Sequence, residues 1–466
     1  TWLTGATALQ LSPLMVAEEI TKWLQATDCH IIFTLDLLAP VVMKALDDGP
    51  LEHVIVASLS RRVGAMRSWL YRLERLRRNG FTLRANHHVH DFDDFARSDG
   101  QNMAARIVPE EDVAVMTPTG GTTASPKAVM LTHRNLMSNA FQLGAWSREE
   151  DGAGGILAVL PFFHAYGLTV GLLTGLAKGA TVHLHPRFEI KAVLNIMDRY
   201  HTELVPAVPS LILALNRELK KQPRDLSYIR VVVSGASALD RAVRAEFEGY
   251  HPQHVVEGYG LSEASPVTHV NPVDERNRPG TIGLPLPDTE ARIMDQATGT
   301  QELSAGTVGE LVVRGPQVMK GYYNNPAETA RALRGGWLYT GDLARRDHDG
   351  FFTIVDRKKD IIKTSGFLVF PAEVEEVLHQ FPSVAEAAVI GVPDAERGEL
   401  VKALVVPRDG ARITVSALEA HCLQHLSKHK RPRQIEVVRE LPKNFLGKVQ
   451  RRRLRETDAS GNGQAK

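Results

Sequence analysis

The segment Thr119-Gly120-Gly121-Thr122-Thr123-Ala124-Ser125-Pro126-Lys127 gathers glycines, hydroxyls and a terminal lysine between two apolar runs, 113–116 and 128–131. Glycine lets backbone N–H groups approach an anion, hydroxyls donate hydrogen bonds and lysine neutralises charge, so the composition suits a polyphosphate. It is not a Walker A loop, which needs Gly before the lysine and Ser or Thr after it; Pro126 and Ala128 stand there. The next helix is expected to start at Thr132, a good N-cap well past the lysine. An ordinary Gly/Thr surface turn fits the same residues.

Three further segments carry chemistry. In Glu257-Gly258-Tyr259-Gly260-Leu261-Ser262-Glu263 the tyrosine offers a flat face to a base, the glycines permit close approach and Glu263 is a hard oxygen ligand suited to Mg2+. A tight turn would look the same. Tyr339-Thr340-Gly341-Asp342 presents a carboxylate able to accept from ribose hydroxyls, or one that merely caps its own turn. Pro442-Lys443-Asn444-Phe445-Leu446-Gly447-Lys448 is turn-like and ends in a lysine near the C-terminus; alone it means little.

These segments need a scaffold to bring them together. The middle of the chain alternates β-branched runs (113–116, 156–160, 181–184, 203–207, 231–234) with helical patterns (194–200, 211–219, 241–250), which predicts α/β layering around a mixed or parallel sheet. A first helix is expected over 13–25. From about Gly280 short strands such as 290–294 and 310–314, punctuated by Gly and Pro, predict a β-rich subdomain. The charged run Asp356-Arg357-Lys358-Lys359-Asp360 reads as a hinge, followed by a compact β-α-β-like pattern to about Arg455 and a polar tail, 460–466.

At 466 residues the chain calls for more than one domain. Its 43% hydrophobic and 23% charged residues are those of a folded globular protein. Lys and Arg total 55 against 54 Asp and Glu, so no global excess of positive charge points to nucleic acid. The two cysteines, Cys29 and Cys422, are too few for a disulfide scaffold and favour a reducing, cytoplasmic setting. No apolar run reaches transmembrane length. The basic stretch 61–78, with Trp69, Leu70, Tyr71 and Leu73 interleaved, suits either the inner surface of an anionic membrane or a solvated helix lying over its domain. Thr1 opens the chain and a helix follows almost at once, so an earlier N-terminal part is expected to be missing.

In this order, and over residues 11–455, the four segments resemble the adenylate-forming superfamily of acyl-CoA synthetases, peptide-synthetase adenylation domains and luciferases. Residues 257–272, 309–323 and 354–376 look most like bacterial long-chain fatty-acid–CoA ligases. The resemblance implies a large N-terminal domain (1–356), a hinge (357–359) centred on Lys359, a small mobile α+β domain (360–456) and a flexible tail (457–466). It implies that fatty acid, ATP and coenzyme A are converted through an acyl-adenylate, with Mg2+. Thr119, Thr122, Thr123 and Lys127 would hold the phosphates and Glu263 the metal. Gly235, Ala236, Glu257, Gly258 and Tyr259 would surround adenine, and Asp342 and Arg357 would hold the ribose. His164, in Pro161-Phe162-Phe163-His164, would lie beside the acyl carboxylate, Lys448 would steady the carboxylate and α-phosphate, and Gly366 would border the pantetheine path. An acyl carrier protein as acceptor, or a catalytically weakened lipid-sensing homologue, are the alternatives.

The chain departs from the family pattern at Ala124 and Ala128, where Gly is usual, and at Ser262, where Thr is usual. The two alanines are expected to stiffen the phosphate loop. His87, His88, His90 and Asp91, and likewise His421, His425 and His429, lack the four-ligand grammar of a structural zinc site and are expected to be solvated. Gly235-Ala236-Ser237 is not a nucleophile elbow, since Leu239 stands where its last glycine belongs. The basic residues Lys428, Lys430, Arg431 and Arg433 fit the nucleotide end of coenzyme A or a solvated charge run.

Overall fold

A computed structural model describes residues 1–79, 87–97, 105–119, 127–147, 152, 154–186, 188–250, 255–444 and 447–461. The chain packs as two compact units, one of residues 1–135 with 319–329 and one of residues 136–318 with 330–466.

In the first unit, parallel strands Ile31–Leu35, His53–Ala57 and Val89–Asp91 pack against helices Ala17–Thr27 and Ala39–Asp48 through Leu24, Val42, Val54 and Val89. The first helix starts four residues later than expected because Glu19 Oε2 accepts from the Val16 N–H at 3.1 Å, closing the N-terminus there. A second sheet holds Ala8–Leu9, Val113–Thr119, Lys127–Thr132 and Gly321–Tyr322 in that order. Helix His133–Ser147 is capped as the sequence predicts: Thr132 Oγ1 accepts from Asn135 N at 3.1 Å and Asn135 Oδ1 accepts from Thr132 N at 2.9 Å. The basic stretch forms helix Ala65–Asn79. Its Tyr71 hydroxyl donates to Asp36, whereas Trp69, Leu70 and Leu73 are exposed.

The second unit is built on a seven-stranded mixed sheet. Thr181–Leu184, Gly155–Ala158, Leu204–Ala207, Val231–Ser234 and Val255–Gly260 run parallel, and Val267–Val270 and Leu284–Pro285 continue the sheet antiparallel. Gly155–Ala158 and Leu204–Ala207 are buried along their whole length, the signature of a parallel sheet covered on both faces. Helices Ile190–Tyr200, Pro209–Lys221 and Arg241–Glu248 cover it through Leu194, Met197, Leu211, Leu215 and Phe247. The carboxyl ends of such strands are where open α/β sheets bind ligands. Here they lead into His164, Ser210, Gly235 and Tyr259. Residues Gly167–Leu173 form a buried π-helical turn that the sequence did not announce.

Strands Glu290–Met294, Gly309–Arg314, Trp337–Arg346 and Phe352–Arg357 make the β-rich part. After residue 360, Ile362–Thr364, Phe367–Val369, Val384–Asp394, Gly398–Pro407 and Gln434–Val437 form a further sheet carrying helices Pro371–His379 and Val415–His425. Its core of Val374, Leu378, Val389, Val405, Leu418 and Cys422 is distinct from that of the large sheet.

Phe247 is fully buried in the large core. Its truncation to alanine should cost about 3–5 kcal/mol and shift the urea transition of the second unit to lower concentration. A midpoint unchanged within error would contradict the placement.

Candidate active site

Two neighbouring strands of the β-rich part place Asp342 directly opposite Arg357. Arg357 Nε lies 3.1 Å from Asp342 Oδ1, and the Tyr259 hydroxyl, from the end of a parallel strand of the large sheet, donates to Asp342 Oδ2 at 2.6 Å. The carboxylate is 5% exposed. Burial, and then the Asp342 charge, hold the Tyr259 phenol well above its usual range. The turn that delivers Asp342 is clamped. Gly341, at φ 71°, donates to Glu310 Oε1 at 3.2 Å, and the Thr340 hydroxyl donates to Leu311 O and accepts from Asp342 N. Glu310, only 4% exposed, also binds Lys358 Nζ at 2.7 Å, and Lys358 N donates to Gly341 O. One buried glutamate thus ties the 357–359 segment to the Asp342 turn.

His164 closes a turn after strand Gly155–Ala158, its N–H on Pro161 O at 3.1 Å. Its Nδ1 faces the Tyr166 N–H at 3.3 Å, which assigns Nδ1 as acceptor and leaves Nε2–H as the donor of the neutral ring. Burial first, and the Lys448 charge second, push His164 down to about 4, so it is neutral at physiological pH. Tyr166 also donates to Val233 O at 2.8 Å and reaches Ala207 O at 3.3 Å, joining the ends of two strands. Its ring lies where Gly235 has no side chain: a Cβ there would sit 3.1 Å from it. Ala236 follows at φ 71°, a left-handed conformation uncommon outside glycine.

Lys448 adjoins Val449, which forms an isolated antiparallel bridge with Lys443. Asn444 holds it twice, N–H to Lys448 O and Oδ1 from Lys448 N, both at 2.9 Å. Gly447, at φ 80°, brings the turn against Ser210 at the start of helix Pro209–Lys221. Three residues on, Arg451 grips both oxygens of Glu375 at 2.7 and 2.8 Å, and Arg455 binds Asp360 at 2.8 Å. Asp356 Oδ2 accepts from Ala372 N at 2.9 Å. Burial, then Arg357, with Lys359 and Arg451 adding, lower the Lys448 ammonium to about 8. Lys359 is lowered too, by burial and then by Arg357. Lys448, Lys359 and Arg357 therefore form a desolvated cationic group in which Asp342 supplies opposing charge. Such a group is completed by an anion.

The other expected residues are distributed as follows. Glu257 accepts from Gly280 N at 3.0 Å and lies 3.5 Å from Arg244 Nη1, and burial raises its carboxyl. Gly258 has ordinary contact space beside it. Glu263 sits in the 3-10 turn Ser262–Ala264 and acts electrostatically on Arg357. Gly366 is at the apex of the hairpin between Ile362–Thr364 and Phe367–Val369, with Ser365 at φ 49° and Gly366 at φ 82°. Lys430 pairs with Glu373 at 2.8 Å and Arg431 binds the Leu426 and Leu423 carbonyls. Thr119 and Lys127 belong to the first unit, where the Thr119 hydroxyl donates to Lys127 O at 3.2 Å. Thr122, Thr123 and Ala124 lie outside the described residues. Ala128 does not stiffen a loop: it is buried in strand Lys127–Thr132, paired with Pro118, where positive φ is not required.

His90 meets His53 at 3.1 Å and His421 faces Val377 O at 2.9 Å. His429 lies beyond the helix that carries His421 and His425 and stacks on Phe367. Among the described residues no group of three His, Cys, Asp or Glu is placed to hold a metal. The sequence reading missed Tyr166, Glu310, Glu375 and Arg451. It also missed His269, a buried ring edge-on to Tyr259 that burial pushes down to about 3. Tyr166, Glu310, Glu375 and Arg451 act on partners distant in sequence.

Residues 1–323 match the AMP-binding enzyme family and residues 373–448 the AMP-binding enzyme C-terminal domain. The chain is 40% identical to a long-chain-fatty-acid–CoA ligase of Bacillus subtilis, over 97% of this chain and 81% of that protein. It is 35% identical to one of Escherichia coli O157:H7 with the same coverage. Among solved structures, an anthranilate CoA ligase in complex with anthranoyl-AMP superposes with a TM-score of 0.83 at 25% identity, covering 98% of this chain and 84% of that one.

Lys448 should titrate near pH 8 in the ligand-free protein, below the ordinary lysine value of 10.5. Because the folded state holds fewer protons than the unfolded one between those values, this group's contribution to stability is full above 10.5 and is lost as pH falls through about 8. Amine labelling across pH, read by mass spectrometry, checks the midpoint. Binding of a nucleotide triphosphate should move it upward, whereas a midpoint near 10.5 without ligand would contradict the desolvated cluster.

Proposed function

The chain belongs to the AMP-binding enzymes, and from that premise we propose that it is an AMP-forming acyl-CoA ligase acting on fatty acids. In the first half-reaction a carboxylate oxygen attacks the α-phosphorus of ATP, and pyrophosphate leaves. In the second the coenzyme A thiol attacks the acyl carbonyl, AMP leaves with the bonding pair and the thiol proton passes to solvent. The observation that carries this reading is the desolvated group of Lys448, Lys359 and Arg357 next to neutral His164, since two anions must meet there. No covalent enzyme intermediate is needed; positioning and charge suffice.

Lys448 would bridge the carboxylate and the α-phosphate, and His164 Nε2–H would donate to a carboxylate oxygen. Asp342 still has acceptor capacity beyond Tyr259 and Arg357, enough for ribose hydroxyls. Gly235, Ala236, Glu257, Gly258 and the Tyr259 ring would border adenine, with Arg357 beside the ribose. Thr119, Thr122, Thr123 and Lys127 would hold the polyphosphate. Glu263, a carboxylate near Arg357, would help hold Mg2+, which would supply charge neutralisation to the polyphosphate. The buried π-helical turn with Leu168, Val170 and Leu173 would offer apolar side chains to an acyl chain.

We read residues 1–356 as the large domain, 357–359 as the hinge, 360–456 as the small domain and 457–466 as a tail. Rotation about Lys359 would withdraw Lys448 after adenylation and bring Gly366 toward the pantetheine. The ligase names of the relatives favour coenzyme A over a carrier protein as acceptor.

Wild-type protein should exchange labelled pyrophosphate into ATP in the presence of fatty acid and form acyl thioester when coenzyme A is added. Lys448→Ala should lose about 100- to 1,000-fold of the exchange while still converting supplied acyl-adenylate to thioester. Absence of exchange with short, long and aromatic acids alike would overturn the enzymatic reading.

A further inference from the structure

Lys127, which the proposed function assigns to the phosphates, already has a partner. Its Nζ lies 2.5 Å from Glu328 Oε2, 201 residues away in the chain, and 5.4 Å from the centre of the Tyr322 ring. Both side chains of the pair are largely buried, 15% and 21% exposed. The fold builds this cradle deliberately. Gly321 and Tyr322 pair with Met130 and Val129, so the returning chain lies alongside the strand that Lys127 begins. The turn after it is bound from within: Thr329 Oγ1 accepts from Tyr322 N at 2.9 Å and donates to Asn325 O at 2.9 Å, and Asn325 Oδ1 accepts from Glu328 N at 3.2 Å. Glu328 is thereby fixed on helix Pro326–Ala332, facing Lys127.

We propose that Glu328 is the resident counter-ion of Lys127 and competes with the pyrophosphoryl group of ATP for its ammonium. This rests on the reading of Lys127 as a phosphate-binding group. A largely buried ammonium left without an anion is costly, and Glu328 satisfies it between turnovers. A polyphosphate must displace or share that carboxylate, so its apparent affinity is reduced by the fraction of Lys127 already paired. The same competition favours departure of pyrophosphate once the adenylate has formed. AMP, which ends at the α-phosphate, does not enter the contest.

The test compares Kd for inorganic pyrophosphate and for AMP, by calorimetry on the full chain, in wild type, Glu328→Gln and Lys127→Ala. Glu328→Gln should tighten pyrophosphate about three- to tenfold, the scale of a partly screened ion pair, with AMP affinity unchanged. Glu328→Asp, which keeps the charge, should stay close to wild type and serves as the folding control alongside AMP binding. Pyrophosphate affinity that is unchanged or weaker in Glu328→Gln, relative to AMP, overturns the competition. Failure of the underlying reading is seen separately: Lys127→Ala would then bind pyrophosphate as well as wild type does.

Discussion

Asp342 lies where three lengths of chain meet: the end of strand Val255–Gly260 through Tyr259, its own strand Trp337–Arg346, and strand Phe352–Arg357 through Arg357. At 5% exposure its charge depends on both partners, the buried Tyr259 hydroxyl and the half-buried Arg357 guanidinium. The carboxylate therefore does two things at once. It fixes the tyrosine face and the arginine fork, and it supplies negative charge to a region into which Lys448 and Lys359 also project.

The remaining acids act one layer further out. Glu310 holds the Asp342 turn and Lys358, Glu375 holds Arg451, Asp360 holds Arg455, and Asp356 accepts from the start of helix Pro371–His379. Their hydrogen bonds go to Gly341, Lys358, Arg451, Arg455 and Ala372 rather than to Lys448. The cationic group is thus braced without being neutralised, and a depressed lysine next to a neutral histidine is the electrostatic consequence. In the proposed reaction a carboxylate and a phosphate entering together would supply the missing charge, so binding and stabilisation of the reacting pair would draw on the same preorganised field.

How much of this the sequence disclosed depended on distance along the chain. Strands Thr181–Leu184, Val231–Ser234 and Glu290–Met294 were legible to the residue because each is a short β-branched or alternating polar and apolar segment bounded by turn formers. The Thr132 cap was legible because both halves of its reciprocal bond lie within four residues. The start of the first helix is not legible locally, because it depends on a Glu19 side chain reaching back to Val16. Ala128 opens the apolar run 128–131 that the sequence marks, so its backbone follows the strand and not the loop. Tyr166 ties carbonyls 41 and 67 residues away, and the Glu375–Arg451 and Glu310–Lys358 pairs span 76 and 48 residues. Nothing local marks such residues. The motif residues Tyr259, Asp342 and Lys448 were legible as chemistry, and only the family resemblance joined them, with Arg357, in one site.

The central claim is that the Asp342 carboxylate organises an acyl-adenylate site. Calorimetric binding of a non-reactive fatty acyl-sulfamoyl adenosine to wild type and Asp342→Asn tests it most directly. Wild type is expected to bind tightly and the variant to lose about 100-fold or more, on the scale of breaking a charge-assisted network, with the thermal transition still cooperative. Equal affinity in a folded Asp342→Asn protein would contradict it.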